Sequence, residues 1–133
     1  MPIVVDSSVA ACWALPDEFS ELANAVLRLV AEEEMLVPTL FWHELRNILI
    51  VNERRGRLDS RQSSIAVELI GRLRQTIDPD EDGDAVMALA RRHGLTAYDA
   101  AYLELATRLR LPLATLDTRL AAAAAMEGCA FMA

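Results

Sequence analysis

Four acidic residues occupy positions where a small protein ordinarily places apolar side chains. These residues, called the acidic quartet below, are Asp6, Glu44, Asp99 and Asp117. Asp6 and Asp117 follow short apolar runs that are predicted to be strands. Glu44 and Asp99 lie along the apolar stripes of predicted helices. If the chain brings them together, two carboxylates ~5 Å apart repel by roughly 3 kcal/mol at an effective dielectric of ~20. Such a cluster predicts either a bound cation or protonation of some of its members.

The chemistry of these side chains points to a hard divalent cation. Carboxylate oxygens without a histidine or cysteine partner favour Mg²⁺ or Mn²⁺ over zinc. A divalent ion held by a few carboxylates keeps coordinated waters, activates one of them as a nucleophile and neutralises charge on a phosphate. Phosphodiester hydrolysis is therefore the reaction that fits the quartet best.

Each acid also has a purely structural interpretation. Asp6 and Asp117 each stand where a following helix needs an N-cap, and Asp99 lies near a helix N-terminus, where acids are common. Glu44 is harder to explain in this way, because it projects among apolar positions and no arginine of its own helix shares its face. A buried glutamate needs a partner, since an unpaired buried charge is costly. Four such coincidences in one small domain are rarer than any single one.

Length and composition predict one compact domain. The chain has 133 residues, of which 53% are hydrophobic and 25% charged, enough for a core of its own. The alanine-rich run 120–126 is too short to span a bilayer. The N-terminal residues lack the basic start and long apolar stretch of a signal peptide. We therefore expect a cytoplasmic protein without a membrane segment.

The charged residues narrow the choice of function. A net charge of −7 argues against a domain that coats nucleic acid by bulk attraction. All 13 basic residues are arginines, so mechanisms that need an active-site lysine are excluded. Arg54, Arg55 and Arg57 form a local basic cluster that could contact RNA phosphates or simply complement a helix end. Cys12 and Cys129 have no metal-ligand or redox spacing and are expected to be reduced structural thiols.

The order of predicted elements indicates the architecture. Strands are predicted at residues 3–5, 35–38, 76–77, 112–116 and 129–132. Helices are predicted after Asp6 through residue 13, over 16–33, from a Thr39 cap to 55, from 59 or 60 to 74, over 84–93, from a Thr96 cap to 110, and over 117–126. This alternation predicts an α/β fold with three layers, α/β/α, around a short-stranded parallel sheet, in a single domain over 1–133. Ligands bind beyond the carboxyl ends of such strands. Asp6 and Asp117 occupy that edge.

Four segments of the chain carry a family resemblance. They are VVDSS at 4–8, HELRN at 43–47, LTAYDAAY at 95–102 and LATLD at 113–117. In order and spacing they resemble the PIN-domain nucleases, and most of all the VapC-type toxins of bacterial toxin–antitoxin pairs. The resemblance runs through nearly the whole chain, and the segments around Asp99 and Asp117 are its most specific parts.

The resemblance implies a PIN-like fold and an endoribonuclease that depends on Mg²⁺, with Mn²⁺ able to substitute. It implies that the acidic quartet is the metal site, with Asp6 and Asp99 as the firmest ligands and Glu44 and Asp117 completing the site directly or through water. Ser7 and Thr115 match positions that support the site in the family. The resemblance further implies an RNA substrate, homodimers, and a small cognate antitoxin that forms a hetero-oligomer with the toxin and blocks its active site with a C-terminal segment.

Two other classes of protein share parts of this pattern. Signalling receiver domains are α/β proteins with an acidic Mg²⁺ pocket, but they place a lysine beside the phospho-acceptor and this chain has none. A non-catalytic interaction module could instead use the acidic cluster to bind a basic partner segment. The sequence does not separate this module from a nuclease in its inhibited complex, whereas metal titration of the free protein does.

Overall fold

The structure is a computed structural model that describes residues 1–132. Its elements, in chain order, are β1 (Ile3–Val5), α1 (Ser7–Ala14), α2 (Glu21–Val30), β2 (Met35–Pro38), α3 (Phe41–Arg54), α4 (Ser60–Gly71), β3 (Gln75–Asp78), α5 (Gly83–His93), α6 (Ala97–Leu109), β4 (Leu113–Ala114) and α7 (Thr118–Met126). The predicted α/β class and parallel central sheet flanked by helices are confirmed.

The sheet has the strand order β3-β2-β1-β4, and every pairing in it is parallel. From β1 the chain builds outward to β2 and β3, and then returns across the sheet to place β4 on the other side of β1. The strand order therefore reverses between β1 and β4, where Val5 pairs with Ala114. In open parallel sheets this switch point opens a crevice at the carboxyl edge.

The core explains why the central strands are uniformly apolar. Ile3, Val4 and Val5 are all fully buried, as expected for a parallel strand covered on both faces. The segment Ala100–Ala106 of α6 is buried without interruption, because this helix packs against β1, β2 and β4. The first turn of α6 is thereby held close to the switch point.

Two predicted helix starts are wrong. The helix predicted from residue 16 begins only at Glu21, where the Ser20 side chain accepts a hydrogen bond from the backbone of Ala23; the preceding residues form a loop tied to Arg57. Thr39 does not cap α3, because the helix begins at Phe41 with no side-chain cap. The predicted Thr96 cap of α6 is confirmed.

The two last predicted strands are shorter than expected. β4 ends at Ala114 because Thr115 turns out of the sheet to make side-chain hydrogen bonds. Residues 129–132 contribute only an isolated bridge between Leu113 and Ala130. Both cysteines are free and buried, as predicted. No helix within residues 1–132 has the length and apolar character needed to cross a membrane.

Candidate active site

The carboxyl ends of β1 and β4 bring the first and last members of the quartet to one point. The backbone N–H of Asp6 donates to the carbonyl of Ala114 at 3.0 Å, which extends the strand pairing by one residue. The Thr115 hydroxyl then donates to Asp6 Oδ2 at 2.7 Å and accepts from the backbone N–H of Asp117 at 3.0 Å. A single hydroxyl thus connects the Asp6 carboxylate to the Asp117 backbone.

Asp6 and Asp117 differ in how they meet the helices that follow them. The Asp117 side chain caps α7 by accepting from the backbone N–H of Leu120 at 2.8 Å, and the residue is exposed. Asp6 stands at the same position before α1 but makes no side-chain cap. Its carboxylate, in a residue only 4% exposed, instead accepts from the Ser8 hydroxyl at 2.7 Å. Both acids therefore occupy N-cap positions, but only Asp117 caps its helix with the side chain.

Glu44 reaches the same edge from the first turn of α3. Its Oε1 atom accepts from the Tyr102 hydroxyl at 2.6 Å and from the Ser7 hydroxyl at 3.2 Å. The same Ser7 hydroxyl lies 3.4 Å from Asp6 Oδ1. Ser7 therefore sits between two members of the quartet, and the partner that a half-buried glutamate requires is a pair of hydroxyls.

Asp99 lies in the first turn of α6, one turn before Tyr102, and is half-buried. Burial raises the pKa of its carboxyl, and the charges of Asp6 and Asp117 raise that pKa further. Asp99 therefore lies near enough to the ends of β1 and β4 to feel the charges of Asp6 and Asp117.

The pKa values of Asp6 and Glu44 are raised as well. Burial is the largest cause of the raised pKa of Asp6, with the charge of Asp117 adding to it. Burial also raises the pKa of Glu44 first, with contributions from Asp6 and Asp99, while the Tyr102 hydrogen bond opposes the rise. Among the described residues, the ion pairs involve other carboxylates and none from the quartet. The quartet concentrates negative charge without a cationic side chain to offset it.

The carboxylate oxygens of the quartet are the donor type that Mg²⁺ and Mn²⁺ prefer. Within residues 1–132, no three histidine, cysteine, aspartate or glutamate side chains come close enough to hold a metal ion together. Mg²⁺ is commonly bound by only one or two carboxylates and keeps several waters. Oxygen donors that share a negative field and lack an arginine partner match that mode of binding.

The site is open to solvent on one side. Exposure rises from the buried Asp6 through the half-buried Glu44 and Asp99 to the exposed Asp117. A cavity of about 780 Å³ lies at the opposite edge of the sheet and contains none of these residues. An open acidic edge accommodates a long polymer more readily than an enclosed small molecule.

Comparison with known proteins agrees with this geometry. The family model described as PIN domain matches residues 3–126. The chain belongs to the PIN-domain family. It is 34% identical over 124 residues to Ribonuclease VapC3 of Pyrobaculum aerophilum, and the match covers 91% of this chain and 93% of that relative. The predicted relationship to VapC-type PIN domains is confirmed.

The three-dimensional comparison gives the same result. The crystal structure of PAE2754 from Pyrobaculum aerophilum matches this PIN domain with a TM-score of 0.70 and 28% sequence identity. The match covers 92% of this chain and 79% of that structure. The parallel sheet and its flanking helices are thus the PIN-domain arrangement.

The basic cluster predicted as an RNA contact lies away from the quartet in this PIN domain. Arg54 and Arg55 are exposed at the far end of α3, roughly 15 Å along the helix axis from Glu44. Arg57 is held in the structure itself, since its Nη2 atom lies 2.9 Å from Asp17 Oδ1 and it also contacts Glu18.

Two residues of the site were not predicted as such. Tyr102 is buried in the core, and its hydroxyl is directed at Glu44. The available signal was that a buried tyrosine hydroxyl nearly always finds a hydrogen-bond partner. Ser8 was not singled out, although it lies two residues after Asp6 in the first turn of α1. Tyr98, one turn before Tyr102 on α6, is 67% exposed.

Proposed function

We propose that this PIN domain is a divalent-metal-dependent endoribonuclease that hydrolyses RNA phosphodiester bonds. The observation that carries the proposal is the gathering of Asp6, Glu44, Asp99 and Asp117 at one open edge, where none of them forms an ion pair within residues 1–132. The relative named Ribonuclease VapC3 supports the same activity.

Mg²⁺, with Mn²⁺ able to substitute, is the proposed cofactor. Asp6 and Asp99 would hold the ion directly, and Glu44 and Asp117 would complete the site directly or through water. When bound, the ion supplies charge stabilisation for a phosphate and lowers the pKa of a coordinated water. A ligand set that includes water is consistent with quartet carboxylates that form no closed cage.

Side chains around the quartet hold its carboxylates in place. Thr115 and Ser8 fix the carboxylate of Asp6, and Tyr102 and Ser7 fix that of Glu44. Side chains already held by hydrogen bonds need no reorganisation when substrate arrives. The exposed side of the quartet, at Asp117, leaves room for an RNA strand to enter.

We further infer that the protein is the toxin of a toxin–antitoxin pair and acts in the cytoplasm. The name of the VapC3 relative supports this inference. The partners would be an antitoxin whose basic or polar segment reaches the acidic edge, and a second copy of this chain in a homodimer. Arg54 and Arg55 would contact RNA outside the cleavage site.

The experiment that tests the activity incubates the purified, partner-free protein with total RNA in Mn²⁺ or in EDTA. The matched variants are Asp99→Asn in the quartet and Asp80→Asn in an exposed loop. Discrete fragments that require Mn²⁺ and disappear only in Asp99→Asn are expected. Equal cleavage by wild type and Asp99→Asn would contradict the proposal. A folded protein that neither cleaves RNA nor binds metal would instead favour a non-catalytic module that binds a basic partner segment.

A further inference from the structure

The two hydrogen bonds received by Glu44 converge on a single oxygen. Tyr102 and Ser7 both donate to Oε1, at 2.6 and 3.2 Å, and neither reaches Oε2. Their hydroxyls come from different elements, α6 and α1 respectively. The carboxylate is therefore held through one oxygen, while Oε2 receives neither of these two hydrogen bonds.

Tyr102 is the stronger and more rigid of the two donors. Its side chain is fully buried, and it lies on the part of α6 that packs against the sheet. The phenol hydroxyl donates to Oε1, which as a carboxylate oxygen accepts. The buried ring and its short hydrogen bond restrict the rotation of the Glu44 carboxylate.

Asp6 shows the same asymmetry between its two oxygens. Its Oδ2 atom accepts from Ser8 and from Thr115, each at 2.7 Å, whereas Oδ1 has only the long 3.4 Å contact with Ser7. In each of these two carboxylates, side-chain hydroxyls thus bond one oxygen more closely than the other. That arrangement supports one bond per carboxylate to an ion.

We propose that Tyr102 is a positioning residue that restricts Glu44 to one metal-facing oxygen and thereby favours a small octahedral cation over Ca²⁺. This inference rests on the proposed metal-dependent function. Mg²⁺ requires near-ideal octahedral geometry, which single-oxygen ligands satisfy, while Ca²⁺ readily takes both oxygens of a carboxylate in a larger, flexible shell. Removing the Tyr102 hydroxyl releases Oε1 and lets Glu44 bind through both oxygens.

The test compares the full chain with its Tyr102→Phe variant by isothermal titration with Mn²⁺, Mg²⁺ and Ca²⁺. Phenylalanine keeps the buried ring and removes only the donor. The control is Tyr98→Phe, which removes the same group from an exposed tyrosine one turn earlier on α6. Circular dichroism and thermal unfolding establish that each variant is folded.

The expected result is a roughly 10-fold loss of Mn²⁺ and Mg²⁺ affinity in Tyr102→Phe, the size typical when a partner of a metal ligand is removed. Ca²⁺ affinity should stay the same or rise, so the preference for Mn²⁺ over Ca²⁺ falls by about the same factor. Tyr98→Phe should match wild type. A merely structural role for Tyr102 would weaken all three ions equally, and that result would overturn the inference.

A second variant keeps the test decisive if Tyr102→Phe does not fold. Ser7→Ala removes the other donor to Oε1 and should lower the preference for Mn²⁺ over Ca²⁺ in the same direction, by a smaller factor. An unchanged preference in this variant would overturn the inference. If the wild-type protein binds none of the three ions, the proposed metal site itself fails and the inference fails with it. If wild type binds metal but the variants keep the same preference for Mn²⁺ over Ca²⁺, only the proposed role of Tyr102 is overturned.

Discussion

The hydroxyl of Thr115 donates a 2.7 Å hydrogen bond to Oδ2 of Asp6, a residue 109 positions earlier in the chain. The same hydroxyl accepts from the backbone N–H of Asp117. Both contacts depend on the pairing of β4 with β1, since Asp6 and Thr115 directly follow the paired residues Val5 and Ala114. The acidic edge is therefore completed by the last strand in the chain.

Replacing Thr115 tests how far this hydroxyl supports the site. Thr115→Val keeps the shape of the side chain but removes a donor to a buried carboxylate, and should lower the free energy of unfolding by about 1–2 kcal/mol. RNA cleavage should fall about 10-fold or more. Thr115→Ser retains the hydroxyl and serves as the control in denaturant unfolding and cleavage assays. Equal behaviour of the two variants would show that the hydroxyl is dispensable.

The pH dependence of stability follows from the raised pKa values of Asp6, Glu44 and Asp99. Between their ordinary values, 3.8 for aspartate and 4.5 for glutamate, and their higher folded values, the folded protein binds more protons than the unfolded chain. Stability contributed by these groups therefore falls as pH rises through that window. In EDTA, the melting temperature should be lower at pH 7 than at pH 5.

Divalent metal should reverse this trend, because metal binding favours the ionised carboxylates. The measurement compares melting temperatures from pH 4.5 to 8 in EDTA with those in Mn²⁺. Asp99→Asn should flatten the EDTA profile, which separates the quartet from the general effect of net charge. Three other acids have lowered pKa values, namely Asp17, Asp78 and Glu127. Their contribution to stability is lost as pH falls, but only below the ordinary pKa values of these side chains. A melting temperature that rises steadily up to pH 7 in EDTA would contradict the raised pKa values assigned to the quartet.

The fold depends more on one buried ion pair than on exposed ones. Arg108 bonds both Glu104, whose side chain is 2% exposed, and Asp78 at the end of β3. Arg108→Leu leaves the Glu104 charge buried without its partner and should cost about 2–4 kcal/mol of unfolding free energy in denaturant titrations. The control is Arg72→Leu, which breaks the exposed pair with Glu68 and should change stability by less than about 0.5 kcal/mol. Similar losses in the two variants would refute the distinction.

Local sequence patterns predicted much of this fold for identifiable reasons. The apolar run at Ile3–Val5 followed by an acid marks a buried strand that ends at a functional edge, and Gly94 marks the end of α5 because it adopts a positive φ there. The start of α2 was missed because two capping signals compete, and the Ser20 cap is used while Pro16 stays in the loop. Choices between neighbouring caps depend on tertiary contacts such as the bond from Arg57 to Asp17.

The candidate site was predictable in its residue types but not in its bonds. Each acid of the quartet stood out because it interrupts an apolar pattern. The partnership of Tyr102 with Glu44 joins residues 58 positions apart and depends on how α3 and α6 pack around the sheet. Local periodicity carries no information on that packing. Which oxygen of each carboxylate is occupied can be learned only from the three-dimensional arrangement.

The most direct test of the account is a calorimetric titration of the free protein with Mn²⁺. The titration is repeated on four variants, in each of which one carboxylate of the quartet is replaced by its amide. We predict that wild type binds Mn²⁺, that Asp6→Asn and Asp99→Asn abolish binding, and that Glu44→Gln and Asp117→Asn weaken it. Asp80→Asn, in the exposed loop after β3, should bind as wild type does. Absence of Mn²⁺ binding by folded wild type, or equal binding by all four quartet variants, would contradict the claim that these carboxylates form a metal-dependent nuclease site.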